Sequence, residues 1–338
     1  MPKKIALITG ISGQDGAYLA HYLLKKNYKV VGGDRRAASN TFWRLKKLGI
    51  ISDIEIINLD VCEDTNIFNA IKNKKPDEVY NLAAQSFVGS SFDLPLVTSN
   101  STALGAARIL DSILKIDRSI RFYQDSSSEM FGKVSQKFQN ERSSFYPRSP
   151  YAIAKVYAHM MTINYREAYN MFCCNGILFN HESPLRGENF VTRKITMGLA
   201  NIVKGKQNIL ELGNLESKRD WGFAGDYVEA MNLIINHKTP DDYVVSSGES
   251  HTVREFIERS CDYIGIDLVW RGKNENECGI DKKKNKIIIK INKKFYRPAE
   301  VDFLLGDYSK IKKVLGWRPK ISFNKLVKMM IDEDLKKN

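Results

Sequence analysis

The first 180 residues alternate short apolar runs with segments whose apolar positions recur at helical spacing. Residues 5–9 are a continuous apolar run that ends at a glycine, the pattern of a strand covered on both faces. Residues 16–26 place Leu19, Tyr22 and Leu23 at helical spacing. The same reading predicts strands over 28–31, 54–59, 78–82, 120–124 and 173–179, and helices over 67–72, 99–114 and 151–169. Strands alternating with helices at this interval build parallel βαβ units. Right-handed crossovers then put helices on both faces of a doubly wound sheet. After Asn180 the alternation loosens, and 192–204 with 268–335 predict a smaller mixed α/β lobe. Residues 228–235 and 243–246 read as a return to the first domain. The division expected is 1–180 with 222–250 for the first domain, and 181–221 with 251–338 for the C-terminal lobe.

Composition narrows the class. Of 338 residues, 43% are hydrophobic and 27% charged, an ordinary globular balance that excludes global disorder. No stretch of about 18 uncharged apolar residues occurs, so no membrane span is expected. The opening apolar run passes straight into a glycine-rich turn, which reads as a first strand and not as a signal peptide. Lysine and arginine number 52 against 39 acidic residues, a net charge of +13 that suits a polyanionic small molecule. Seven lysines fall within 282–294 around Ile287, Ile288, Ile289 and Ile291, the pattern of a solvated surface hairpin. No zinc finger, helix-turn-helix or RNP motif accompanies them, so no nucleic-acid partner is expected. Cys62, Cys173, Cys174, Cys261 and Cys278 are odd in number and lack CxxC spacing, as free thiols of a cytoplasmic protein would. The five histidines lack ligand spacing, so no metal site is expected.

Candidate chemistry begins at Thr9-Gly10-Ile11-Ser12-Gly13-Gln14-Asp15-Gly16, between the first strand and the first helix. Gly10, Gly13 and Gly16 permit a tight turn and let a pyrophosphate approach the backbone, while the helix start offers free N–H groups. In this setting the motif predicts a Rossmann-type dinucleotide site. Gly33-Asp34-Arg35-Arg36 ends the second strand. An acidic residue here favours NAD through the ribose 2′-hydroxyl; arginines favour NADP through a 2′-phosphate. Two adjacent guanidiniums favour NADP, with NAD the alternative through Asp34. Asp60, after the third strand, is placed to reach an adenine amino group.

Tyr151 and Lys155 stand four apart on one helix face, where the ammonium lowers the phenol pKa and makes tyrosinate available as a base. Tyr22/Lys26 and Tyr308/Lys312 share the spacing and read as ordinary helix faces. Position singles out Tyr151/Lys155, because it follows the strand-end run Gln124-Asp125-Ser126-Ser127-Ser128-Glu129. Ligands of parallel sheets bind at strand C-terminal ends. If the run stays extended, Ser127 and Glu129 face the same side.

These motifs resemble the extended short-chain dehydrogenase/reductases. Longer blocks resemble the GDP-mannose 4,6-dehydratase family: Asn81-Leu82-Ala83-Ala84-Gln85-Ser86, Tyr146-Pro147-Arg148-Ser149-Pro150-Tyr151, and the stretch from Asn175 to Pro184. Asn189-Phe190-Val191-Thr192-Arg193-Lys194, Lys218-Arg219-Asp220-Trp221-Gly222, Asp226 to Met231, and Tyr296 to Asp302 extend the likeness over nearly the whole chain.

The resemblance implies a nucleotide-sugar-binding C-terminal lobe, a tightly held NADP and a homo-oligomer, dimer or tetramer. It implies Ser127, Glu129, Tyr151 and Lys155 as catalytic residues. Gly10, Gly13, Gln14, Asp15, Gly16, Arg35, Arg36, Asp60, Tyr151, Lys155, His181 and Arg186 would hold the cofactor. Asn180, Lys194, Arg219, Arg297 and Glu300 would line the GDP-sugar site. The activity implied is conversion of GDP-mannose to GDP-4-keto-6-deoxymannose by C4 oxidation, loss of water across C5 and C6, and hydride return to C6. A related GDP-sugar such as GDP-manno-heptose, a reductase or epimerase of the same superfamily, and a non-catalytic nucleotide-sugar-binding protein are the alternatives. Three positions depart from the family pattern: Asp34 for an apolar residue, Asp125 for a small one, and Leu185 for the first arginine of an SPRRG run.

Overall fold

The structure is a computed structural model that describes residues 2–296 and 299–336. The N-terminal part runs β1 (Ile5–Thr9), α1 (Gln14–Lys25), β2 (Lys29–Asp34), α2 (Trp43–Lys47), β3 (Ile54–Asn58), α3 (Asp64–Lys74) and β4 (Glu78–Asn81). Then come α4 (Val88–Asp93), α5 (Pro95–Thr98), α6 (Gly105–Ile116), β5 (Arg121–Ser127), α7 (Pro150–Tyr169) and β6 (Cys173–Leu178). The later part holds β7 (Asn180–Glu182), α8 (Val191–Val203), β8 (Leu210–Leu212), β9 (Lys218–Arg219), β10 (Trp221–Phe223), α9 (Ala224–Ile235) and β11 (Asp242–Val245). It closes with β12 (His251–Thr252), α10 (Val253–Tyr263), β13 (Leu268–Arg271), β14 (Cys278–Asp281), β15 (Lys286–Ile291), α11 (Ser309–Leu315) and α12 (Phe323–Lys336).

Seven parallel strands form one sheet in the order β11-β6-β5-β4-β1-β2-β3. Strand order reverses between β1 and β4, which opens a crevice at their C-terminal ends. Both faces are covered. Leu19, Leu23, Met231 and Ile234 pack on one face, and Ile67, Ile109, Leu110 and Ile113 on the other. This explains the apolar run that opens β1. The fold is Rossmann-like, as the alternation predicted.

The second lobe carries a four-stranded sheet, β13-β14-β15-β8, packed with α8, α10 and α12 around Leu199, Phe256, Ile289 and Met330. The lysine-rich hairpin is there: 282–285 turn between β14 and β15, with Ile288 and Ile289 buried and the lysines at its tip exposed.

Three differences from the sequence reading have clear causes. β5 runs to Ser127, three residues past the expected end, because Asp125, Ser126 and Ser127 pair with Gly176, Ile177 and Leu178. Its polar tail hid it, although buried Ser126 is satisfied by His159 and Asn175. The helix expected over 99–114 is part of a longer helical run, with a π turn at Ser99–Leu104 between α5 and α6. Finally, α11 was grouped with the C-terminal lobe, yet Ile311 and Trp317 pack in the first domain's core beside Tyr227 and Tyr243. The Trp317 indole donates to the Asp226 carbonyl at 2.9 Å, which anchors that return.

Candidate active site

A cleft of about 980 Å³ opens above the strand C-termini, between the sheet and the second lobe. Its floor is the turn after β1. Gly10 has φ +71°, and a Cβ there would lie 3.0 Å from the Ala83 backbone. A Cβ on Gly16 would come within 2.5 Å of the Gly10 carbonyl. Gly13 caps α1 with no side chain, so the first N–H groups of that helix face the cleft. The turn is therefore a cradle in which a diphosphate fits. Arg44 braces it from below, donating to the Ser12 carbonyl at 3.0 Å and the Leu185 carbonyl at 2.7 Å.

β5 delivers the candidate catalytic run. The strand ends at Ser127, and Ser128–Met130 make one 3₁₀ turn capped by the Ser127 hydroxyl, which accepts from Glu129 N at 3.2 Å. Ser127 and Glu129 thus share the cleft by way of a turn, not by the pleat of an extended strand. The facing wall is α7. Its start is fixed by Ser149, whose hydroxyl accepts from Ala152 N at 3.1 Å, and by Pro150 in the first turn. Tyr151 and Lys155 are both buried on the inner side of this helix.

From the second lobe, parallel pairing of β7 with β10 brings Asn180 opposite Trp221. The Asn180 Oδ1 is buried in the cleft with no hydrogen-bond partner among the described residues. Arg219 donates to Glu300 at 3.2 Å and lies 3.9 Å from the Glu129 carboxylate. Lys194 stands over the Phe295 ring, 3.1 Å from its centroid. Elements of the sheet and of the second lobe therefore converge on one crevice.

A family model described as GDP-mannose 4,6 dehydratase matches residues 7–330. The chain belongs to the GDP-mannose 4,6-dehydratase family. It is 48% identical over 342 residues to the GDP-mannose 4,6 dehydratase of Cricetulus griseus, covering 99% of this chain and 92% of that one. It is 49% identical to the enzyme of that name from Drosophila melanogaster, covering 98% and 86%. Among solved structures, dTDP-glucose 4,6-dehydratase from Bacillus anthracis in complex with NAD superposes with a TM-score of 0.80 at 19% identity, covering 98% of this chain and 96% of that one. RMD from Pseudomonas aeruginosa complexed with NADPH gives 0.76 at 21%, covering 99% and 100%. These distant likenesses bear on the fold.

Most of the residues singled out from the family resemblance line this cleft, including Asp60, Arg35 and Arg186. Arg36 is exposed and is not among the lining residues; its N–H donates to Asn58. Arg297 lies outside the described residues. Asp15 and His181 do more than line the wall. The His181 ring nitrogens meet the Phe179 carbonyl at 2.7 Å and the Asp15 carboxylate at 2.8 Å, and the ring stacks on Tyr227. Burial is the largest single influence and would raise the Asp15 pKa, but the charge and hydrogen bond of His181, with Arg186 and Gln14, together outweigh it and hold the carboxyl at about 2. The pair ties α1 to β7, the two sides of the cleft.

The electrostatics of Tyr151 differ from the sequence expectation. Burial raises the phenol pKa above its ordinary value; Lys155 pulls it down, Asp125 pushes it up, and the Ser127 hydroxyl lowers it. The net direction is upward because burial is the largest influence, and Lys155 also serves a second partner. Its ammonium donates to the Asp125 carboxylate at 3.0 Å and the Asp125 carbonyl at 2.6 Å. Sequence reasoning missed Asp125 as a partner of Lys155, and Arg44 as a brace of the glycine turn. Asp125 was legible as a charge in an otherwise small-residue run. Arg44 was legible only as part of the loop after Arg36 that the resemblance sets against a neighbouring subunit's cofactor, and not as a brace of the turn in its own chain.

Proposed function

We infer that this chain dehydrates GDP-mannose to GDP-4-keto-6-deoxymannose. Family membership over nearly the full length supports the reaction. The observation that carries the mechanism is the meeting of the Glu129 carboxylate with Ser127, Tyr151 and Lys155 in one cleft. Bound on the glycine turn, a nicotinamide dinucleotide supplies the hydride acceptor for C4 and the hydride donor for C6. Tyr151, with Ser127 beside it and Lys155 as counter-charge, takes the C4 hydroxyl proton. The ketone so formed acidifies the C5 hydrogen. Glu129 removes that proton and delivers one to the C6 oxygen, which leaves as water. Asn180, Lys194, Arg219 and Glu300 hold the nucleotide sugar, the cations among them meeting its diphosphate. Arg297 joins this set on the sequence resemblance alone.

NADP is the cofactor this reading favours, because Arg35 lines the cleft at the end of β2. A homo-oligomer also fits. Ile153, Tyr157 and Met160 form an exposed apolar stripe on α7, which packs beside α5 and the π turn where Leu96, Val97 and Leu104 are exposed too. A second copy of the chain is the occupant we assign to this patch. No helix among the described residues is long and apolar enough to cross a membrane. The five free cysteines suit a reducing compartment, which supports a cytoplasmic place.

The test is product mass after incubation with GDP-mannose, a GDP-heptose and UDP-glucose. Loss of one water from GDP-mannose alone is expected. Glu129→Gln keeps the shape and removes the base, so it should accumulate the 4-keto sugar with its C6 oxygen intact. A fall of about 10²–10⁴-fold in 6-deoxy product is the usual scale for losing such a group. Near wild-type output from this variant sinks the role given to Glu129.

A further inference from the structure

We propose that Asp125 is a positioning residue for the catalytic pair: its carboxylate clamps the Lys155 ammonium beside Tyr151 and so sets the pH at which the reaction's base becomes available. The inference rests on the reading of Tyr151 as that base. Geometry carries it. Lys155 is almost wholly buried, and it donates twice to one residue, to the Asp125 carbonyl at 2.6 Å and to its carboxylate at 3.0 Å. The register of β5 against β6 fixes the Asp125 backbone opposite Gly176, in the part of the sheet that α7 packs against. Its other oxygen, Oδ1, is buried with no hydrogen-bond partner among the described residues. Lys155 is thereby the charge partner that most favours the anionic form of this carboxylate against burial.

Every charged or titratable group facing Asp125 enters the balance. Lys155 and Tyr151 face it from α7, Asp15 from α1, and His181 from β7. Tyr123 lies two residues back on β5, and Glu129 follows in the 3₁₀ turn. Burial raises the Asp125 pKa, with Lys155 as the main opposing influence; Asp15 raises it further and His181 opposes. For Lys155, burial works against the charge, and the anions of Asp125 and Tyr151 outweigh it. A negative Asp125 opposes the second negative charge that tyrosinate would place on the same ammonium, so it holds Tyr151 protonated to higher pH.

The sign of the test follows. Turnover needs the ionised phenol, so the acid limb of the rate profile reports its deprotonation. Asp125→Asn removes the charge at constant shape, and Asp125→Ser installs a small residue. Both should move the acid limb to lower pH, raising relative activity several-fold at its foot. The tyrosinate absorbance titration, taken as the difference from the matching Tyr151→Phe protein, should move the same way without any turnover. Coincident limbs and coincident titrations in wild type and both variants overturn the proposal, as does failure of both variants to fold, which would make Asp125 structural only. Retained turnover in Tyr151→Phe by itself is a different result: it removes the base assignment on which the proposal stands.

Discussion

At the scale of single residues, the end of β2 is where the structure separates neighbours that the sequence treats alike. Both arginines are exposed, but Arg35 lines the cleft and Arg36 does not. Asp34 is engaged locally, its carboxylate accepting from Arg35 N at 3.0 Å. The two arginines should therefore differ. Arg35→Ala should weaken NADP binding tenfold or more, the scale of one charge-assisted hydrogen-bond set, and Arg36→Ala should change it little. Competitive titration with NADP and NAD on the stripped protein checks this. Equal losses in the two variants would show that both side chains swing onto the phosphate.

At the scale of elements, the second lobe is pinned internally by an ion pair that no periodicity reveals. Arg193 on α8 and Asp334 on α12 are 2.7 Å apart and almost fully buried. Thr196 donates to the same carboxylate at 2.8 Å, and Lys204 to the Asp334 carbonyl at 3.0 Å. Arg193 also donates to the Pro184 carbonyl, so the pair reaches the segment after β7. Arg193 immediately precedes Lys194 of the candidate sugar site, and the two point to different tasks because successive helix positions face different directions. Asp334→Ala leaves a buried cation uncompensated and should cost about 3–5 kcal/mol, read by denaturant unfolding. A loss under about 1 kcal/mol would mean that water or another acid takes over.

At the scale of the whole molecule, the exposed apolar stripe of α7 lies on the face of the helix opposite its candidate catalytic side chains. Ile153, Tyr157 and Met160 point outward while Tyr151 and Lys155 point in. A self-association there would rest on the same helix that positions the base. Ile153→Asp with Met160→Asp should convert the oligomer to monomer in light scattering, with activity falling as the protein is diluted. A wild-type chain that is monomeric at all concentrations rules the surface out.

The sequence by itself determined the sheet and the glycine turn, and it singled out Tyr151 and Lys155 as a candidate pair beside the strand-end run that holds Ser127 and Glu129. Those features are local: they depend on periodicity, on residues that alone permit a turn, and on spacing along one helix. Only the tertiary structure decided which charges meet. Burial and register put Lys155 on Asp125, His181 on Asp15 and Arg193 on Asp334, pairs separated by 30, 166 and 141 residues. It also returned α11 to the first domain's core and extended β5 through a polar tail that looks like loop. The physical reason is common to all of them. A charged side chain looks the same in sequence whether water or a buried partner satisfies it, and the choice is made only when distant elements close over it.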